Sequence, residues 1–180
     1  MTTEQREEMK ERLELSSRAV KKAVEGLADY QWRFVPAEGG WSVGQCMEHI
    51  AHVETTILSM LHKAIENSPA DQSLLELAAG KDRKLIQFIP DRSRKAQMPA
   101  NLDFPQGTKP SPILLKEFDS VRDQSIQFLM NATVDISLWT AEHFVFKTLN
   151  GGQWILFIAL HAERHASQIM EIRQHEGFPA

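Results

Sequence analysis

Hydrophobic positions recur at helical spacing in four stretches of the chain, and these predict four long helices. The first spans about residues 4–29, with Met9, Leu13, Val20, Val24 and Leu27 on one face and charges over the rest. The second spans about 43–67. Ser42 with Gln45 three residues later forms a capping box, which satisfies two orphaned backbone donors, and Gly39-Gly40 breaks whatever precedes it. Its inward stripe runs Cys46, His49, Ile50, Val53, Ile57 and Met60 or Leu61. The third spans about 112–133, with Ser111 as N-cap and Pro112 at the first helical position. Leu114, Phe118, Val121, Ser125 and Phe128 follow one face. The fourth spans about 153–175, between Asn150-Gly151-Gly152 and Gly177. Its first half, Trp154 to Leu160, is apolar on nearly all sides, as in a helix enclosed by others.

No stretch alternates convincingly as a strand. Residues 68–110 separate the second and third helices and include Pro69, Pro90, Pro99, Pro105 and Pro110, with one short helix expected around Lys81 to Phe88. A connection this long reads as a lid or a crossover. The fold expected is therefore all-α: a single four-helix bundle domain over residues 1–180, with a long crossover between helices two and three.

Composition changes this picture little. The 180 residues carry 42% hydrophobic and 24% charged residues, as an ordinary globular chain does. A net charge of −4 leaves no basic surplus for phosphates, so a nucleic-acid partner is not expected. The first twelve residues are polar, with no secretory signal. The longest apolar run, Trp154 to Leu160, is too short for a bilayer. Cys46 is the single cysteine, so no internal disulfide forms, and a reducing, cytoplasmic compartment fits.

The candidate chemistry lies on the fourth helix. His161 and His165 are four apart, on one face with Trp154, Ile158, Gln168 and Ile172. That face is apolar, so both imidazoles should turn inward, where their nitrogens need partners. This spacing is the one by which a helix supplies two metal ligands. The pair by itself supports a metal site and a structural pair equally. A third ligand has to come from another helix. His49 is preferred to His52, because Cys46 and Val53 face the core with it while His52 borders the polar flank. Three imidazoles leave coordination positions open, unlike a closed structural zinc site.

Gly40-Trp41-Ser42-Val43-Gly44-Gln45 followed by His49, together with Asn150-Gly151-Gly152-Gln153-Trp154 followed by His161-x-x-Arg164-His165-x-x-Gln168-Ile169, resembles the DinB-like (YfiT-like) four-helix bundle superfamily. The resemblance covers roughly Glu4 to His175. It implies a metal held by one histidine of the second helix and two of the last, here His49, His161 and His165. It also implies a homodimer in many members. In some it implies a metal-dependent transferase or isomerase that uses a low-molecular-weight thiol such as bacillithiol, mycothiol or glutathione.

Other residues border this site. Arg164 suits an inter-helix ion pair with a glutamate better than an anionic substrate. Gln168 could orient a ligand or bond to backbone, and His143 sits in a loop that could reach the site mouth. Trp41 and Trp154 read as core anchors, with Trp154 a candidate roof. Phe104, Trp139 and Phe144 are candidates to shape a pocket. Cys46 reads as a buried hydrophobe. Glu48 and Glu163 point away from the ligand face, which leaves no evident carboxylate base. The expected function is a metalloenzyme acting on a small molecule. It would transfer a thiol activated by one divalent ion, with zinc or nickel suited first and iron next. A hydrolase using water, or a metal-binding protein without turnover, are the alternatives.

Overall fold

A computed structural model of the chain describes residues 1–67, 70–93 and 105–180. The element order is α1 (Thr3–Val24), α2 (Asp29–Trp32), α3 (Val43–Asn67), α4 (Gln72–Ala78), α5 (Asp82–Phe88), α6 (Ser111–Asn131), a 3-10 turn (Ile136–Leu138), β1 (Thr140–His143), β2 (Lys147–Asn150) and α7 (Gly151–Arg173). The four long helices expected from periodicity are α1, α3, α6 and α7. They close a ring in which α1 touches α6 and α7, and α3 touches α6 and α7. The fold is all-α apart from one small hairpin.

Three of the four long helices, α1, α3 and α7, begin where side chains satisfy their first free N–H groups. On α3, the Gln45 N–H donates to Ser42 Oγ at 3.1 Å and the Ser42 N–H donates to Gln45 Oε1 at 2.8 Å, the expected capping box. Asn150 and Gln153 make the same reciprocal pair at the start of α7. Gly151 cannot be replaced there without a clash, since a Cβ would lie 2.2 Å from the Ile136 carbonyl oxygen. α6 starts one residue earlier than expected: Pro110 is its N-cap, and Ser111 sits inside the first turn with its hydroxyl donating to Asp29 Oδ1. α1 also differs. It stops at Val24, because Gly26 takes φ +74, and the chain re-forms a short helix at Asp29–Trp32.

α7 forms the spine of the core. Its residues 155–160 are at most 8% exposed and pack with Leu13, Ile57, Leu61, Leu85 and Leu129. Farther along, Ala162, Ala166, Ile169 and Ile172 pack with Val20, Val43, Met47, Ile50 and Phe118. His161 and His165 fall where the first cluster gives way to the second.

The core also holds a polar knot that periodicity does not reveal. Arg122 on α6 donates from Nη2 to Glu54 of α3 at 2.9 Å, and from Nη1 to Ser16 and to the Leu13 carbonyl of α1. Ser125 donates its hydroxyl to the same Glu54 carboxylate. Both ionic side chains are buried.

Two segments depart from expectation. A hairpin precedes α7, pairing Thr140 with Asn150 and His143 with Lys147. His143 thus ends a strand and is buried, rather than lying in a solvated loop. Its Nδ1 accepts from the N–H groups of Val145 and Phe146, which closes the turn. The 68–110 connection, where described, is largely folded. α5 stands where a short helix was expected; α4 was not foreseen. Lys81 donates to the Phe146 and Thr148 carbonyls of the hairpin, and Gln153 of α7 donates to the Ala78 carbonyl. Among the described residues, no helix is long and apolar enough to cross a membrane.

Candidate metal centre

α3 contributes His49 from its second turn, and α7 contributes His161 and His165 from successive turns. The three rings converge. His161 Nε2 lies 3.2 Å from His49 Nε2 and 3.2 Å from His165 Nε2. The nitrogens all lie within 4.8 Å of one another. Ligands about 2.0–2.1 Å from a tetrahedral zinc ion stand about 3.3 Å apart, so the spacing fits a shared cation.

The charge state fits as well. Burial, with a smaller contribution from His52, pushes the His49 imidazolium down to about 4. Burial first, and then the neighbouring histidines, hold His161 and His165 well below the usual histidine range. All three are therefore neutral near pH 7, each with one lone pair to give. A hydrogen on His161 Nε2 could serve only part of this arrangement, because two nitrogens face it. A divalent cation accepts a lone pair from every ring. The donor set among the described residues is three imidazoles, which suits zinc, nickel or iron.

Aromatic side chains hold the rings. Trp41 lies parallel to His165, with centroids 5.7 Å apart and planes 5° apart, and meets His49 edge-on at 4.7 Å. Phe157 stacks on His161 at 5.4 Å. The roof is thus Trp41, not Trp154. Trp154 packs instead on His143 and Phe157, a turn farther down the helix. Trp41 was legible only as an anchor, since helix periodicity does not reach a residue before the N-cap.

The other nominated residues fall as follows. His52 is exposed and, among the described residues, belongs to no ligand cluster. Gln168 touches the site directly, with Oε1 2.9 Å from His165 Nδ1. Arg164 donates to the Ile89 and Asp91 carbonyls, which ties α7 to the crossover, and the Asp91 and Glu171 carboxylates act on its guanidinium. His143 contacts the ring of Phe157, which in turn stacks on His161. It closes the hairpin turn and lies near enough to His161 to act on it electrostatically. Cys46 is fully buried, and burial pushes its thiol up to about 12. Phe104 lies outside the described residues.

Beside His49, a groove of about 680 Å³ runs between α3 and α6. His52, Thr55, Pro105, Lys109, Lys116 and Gln124 are among its walls. Trp139 and Phe144, expected to shape a pocket, are not. Glu48 also lines it. Its carboxylate accepts the Gly107 N–H at 2.7 Å and stands 3.8 Å from Lys109 Nζ, which latches the end of the crossover onto α3. Gly107 is required in that latch: it takes φ +66, and a Cβ would meet Gln45 Cγ at 2.7 Å.

Comparison with known proteins agrees with this geometry. The sequence profile of the DinB superfamily matches residues 12–169. The uncharacterized protein YuaE of Bacillus subtilis (strain 168) is 26% identical over 155 residues, covering 84% of this chain and 88% of its own. No solved structure gives a significant match.

Proposed function

The chain belongs to the DinB superfamily, and from that premise we propose that it is a divalent-metal enzyme that transfers a low-molecular-weight thiol to a small electrophile. The observation that carries the reading is the convergence of three neutral Nε2 atoms at one point beside an open groove. His49, His161 and His165 would hold the ion. When bound, it would supply Lewis acidity that lowers the pKa of a thiol entering the site.

The rest falls to the chain's own residues. Trp41 and Phe157 pack on the rings and hold their planes. Gln168 Oε1 stands 2.9 Å from His165 Nδ1 and steadies that ring. Of the three histidines, His49 lines the groove, so a substrate lying between α3 and α6 would approach the ion from its side. The Glu48 carboxylate is engaged by Gly107 and Lys109. This disposition favours a nucleophile that needs no protein base, which is why thiol transfer is preferred to hydrolysis.

Metal analysis and a thiol panel test the reading together. Purified protein should carry about one divalent ion per chain. It should conjugate a generic electrophile with at least one of bacillithiol, mycothiol or glutathione, and chelation should stop the reaction. Ester turnover without thiol would replace this reading with hydrolysis, and bound metal with neither activity would replace it with a non-catalytic role. Folded protein that takes up no ion would overturn the metal site itself.

A further inference from the structure

The crossover residues that follow α5 reach the metal centre through a single amide. Gln168 Oε1 lies 2.9 Å from His165 Nδ1 and 3.3 Å from Nη1 of Arg92, which follows α5. Arg92 is itself held by Glu171, with Nη2 2.7 Å and Nε 3.2 and 3.3 Å from the carboxylate oxygens. The backbone just before it is fixed by Arg164, which donates to the Ile89 and Asp91 carbonyls. Arg92 therefore arrives at Gln168 from a braced segment.

The chemistry of this chain has one direction. A guanidinium has only donors. The Gln168 atom facing Arg92 must therefore accept, which makes it the oxygen. The same oxygen faces His165 Nδ1, so that nitrogen must donate. A neutral imidazole has one ring hydrogen, and it is now placed on Nδ1. The lone pair is left on Nε2, the atom turned toward His161 Nε2 at 3.2 Å. Without Arg92 the amide is free to turn over and present its NH2 group to Nδ1. The ring hydrogen would then move to Nε2, where it blocks ligation.

We propose that Arg92 is a positioning residue for the metal centre: by orienting the Gln168 amide, it selects the His165 tautomer that can bind an ion. The inference rests on the metal reading above, but the tautomer can be observed without metal.

The test uses the full chain with 15N-labelled histidine, and reads the tautomer of each ring from two-bond 1H–15N correlations in metal-free protein near pH 7.5. Wild type should show His165 as the Nδ1–H form alone. Arg92→Met keeps the stem and removes the donors; it should show a mixture, with zinc affinity about tenfold lower. Gln168→Glu in the Arg92→Met background should restore both, because a carboxylate accepts in either orientation. A residue that merely docked the crossover would not be rescued in this way. A single Nδ1–H form persisting in Arg92→Met would overturn the inference. So would a loss of zinc affinity that Gln168→Glu leaves unrepaired. Wild type that takes up no zinc would sink the metal reading alone, and the tautomer measurements would still decide the role of Arg92.

Discussion

At the scale of single residues, the site depends on which side chains face inward and what packs on them. His49 and His52 are three apart on one helix, yet only His49 joins the cluster. The sequence distinguished them by their neighbours, since Cys46 and Val53 share the stripe of His49. Substituting His161 should therefore abolish metal binding, because its Nε2 is the atom that meets both others. His52→Ala should leave affinity within about twofold, since surface changes away from such features act weakly. Isothermal titration with zinc separates the two, and an indispensable His52 would mean the ligand set is wrong. Trp41 makes a subtler case. It touches two of the three rings, so Trp41→Leu should weaken zinc binding about tenfold while the fold survives. Its role was not legible beforehand, because the chain turns at Ser42 and no repeat predicts where a residue before that turn comes to lie.

At the scale of elements, the four helices were legible because each carries a long apolar stripe, and α3 and α7 also carry a start signal in side chains. The hairpin was not. Its strands are four residues each and read Thr-Ala-Glu-His and Lys-Thr-Leu-Asn, with too little alternation to reveal a period of two. It forms because α7 buries one side of it, and because His143 accepts two turn N–H groups. The Gly151 junction transmits that packing to the start of α7. Gly151→Ala should destabilise by about 2–4 kcal/mol, since the Ile136 carbonyl belongs to the backbone and has to move. Urea denaturation would measure it; a loss under about 0.5 kcal/mol would show that the 3-10 turn yields freely. The Glu54–Arg122 pair was equally hidden, because an isolated arginine on an apolar stripe does not reveal its partner. Breaking it with Arg122→Met should cost about 3–5 kcal/mol, as it leaves the Glu54 carboxylate buried without its cation. Replacing Glu54 and Arg122 together with apolar residues should recover most of that loss.

At the scale of the whole molecule, burying histidines makes stability a function of pH and of metal. Burial pushes His49 and His143 down to about 4, and His161 and His165 also lie well below their ordinary range. In the unfolded chain each returns to about 6.5. Below that pH the unfolded chain takes up protons that the folded one refuses, so stability falls as pH drops from about 6.5 toward 4. Glu54 and Glu163 act in the opposite sense, since burial pushes their carboxyls up; four histidines outweigh them across this window. A cation adds stability on top of this trend, because it binds the folded state only, and protons compete for its rings only as pH nears the low folded-state range. Metal-free protein should therefore melt at progressively lower temperature from pH 7 to pH 5. Zinc at one hundred times its dissociation constant should stabilise by about 2.7 kcal/mol at pH 7.5, and that gain should persist at pH 5 and fall away only as pH approaches the folded-state value of His49, about 4. Scanning calorimetry with and without zinc across this range checks both parts. A zinc-induced shift already lost at pH 5 would place the ion on solvent-exposed imidazoles, which protonate near about 6.5, rather than on the buried histidines of α3 and α7.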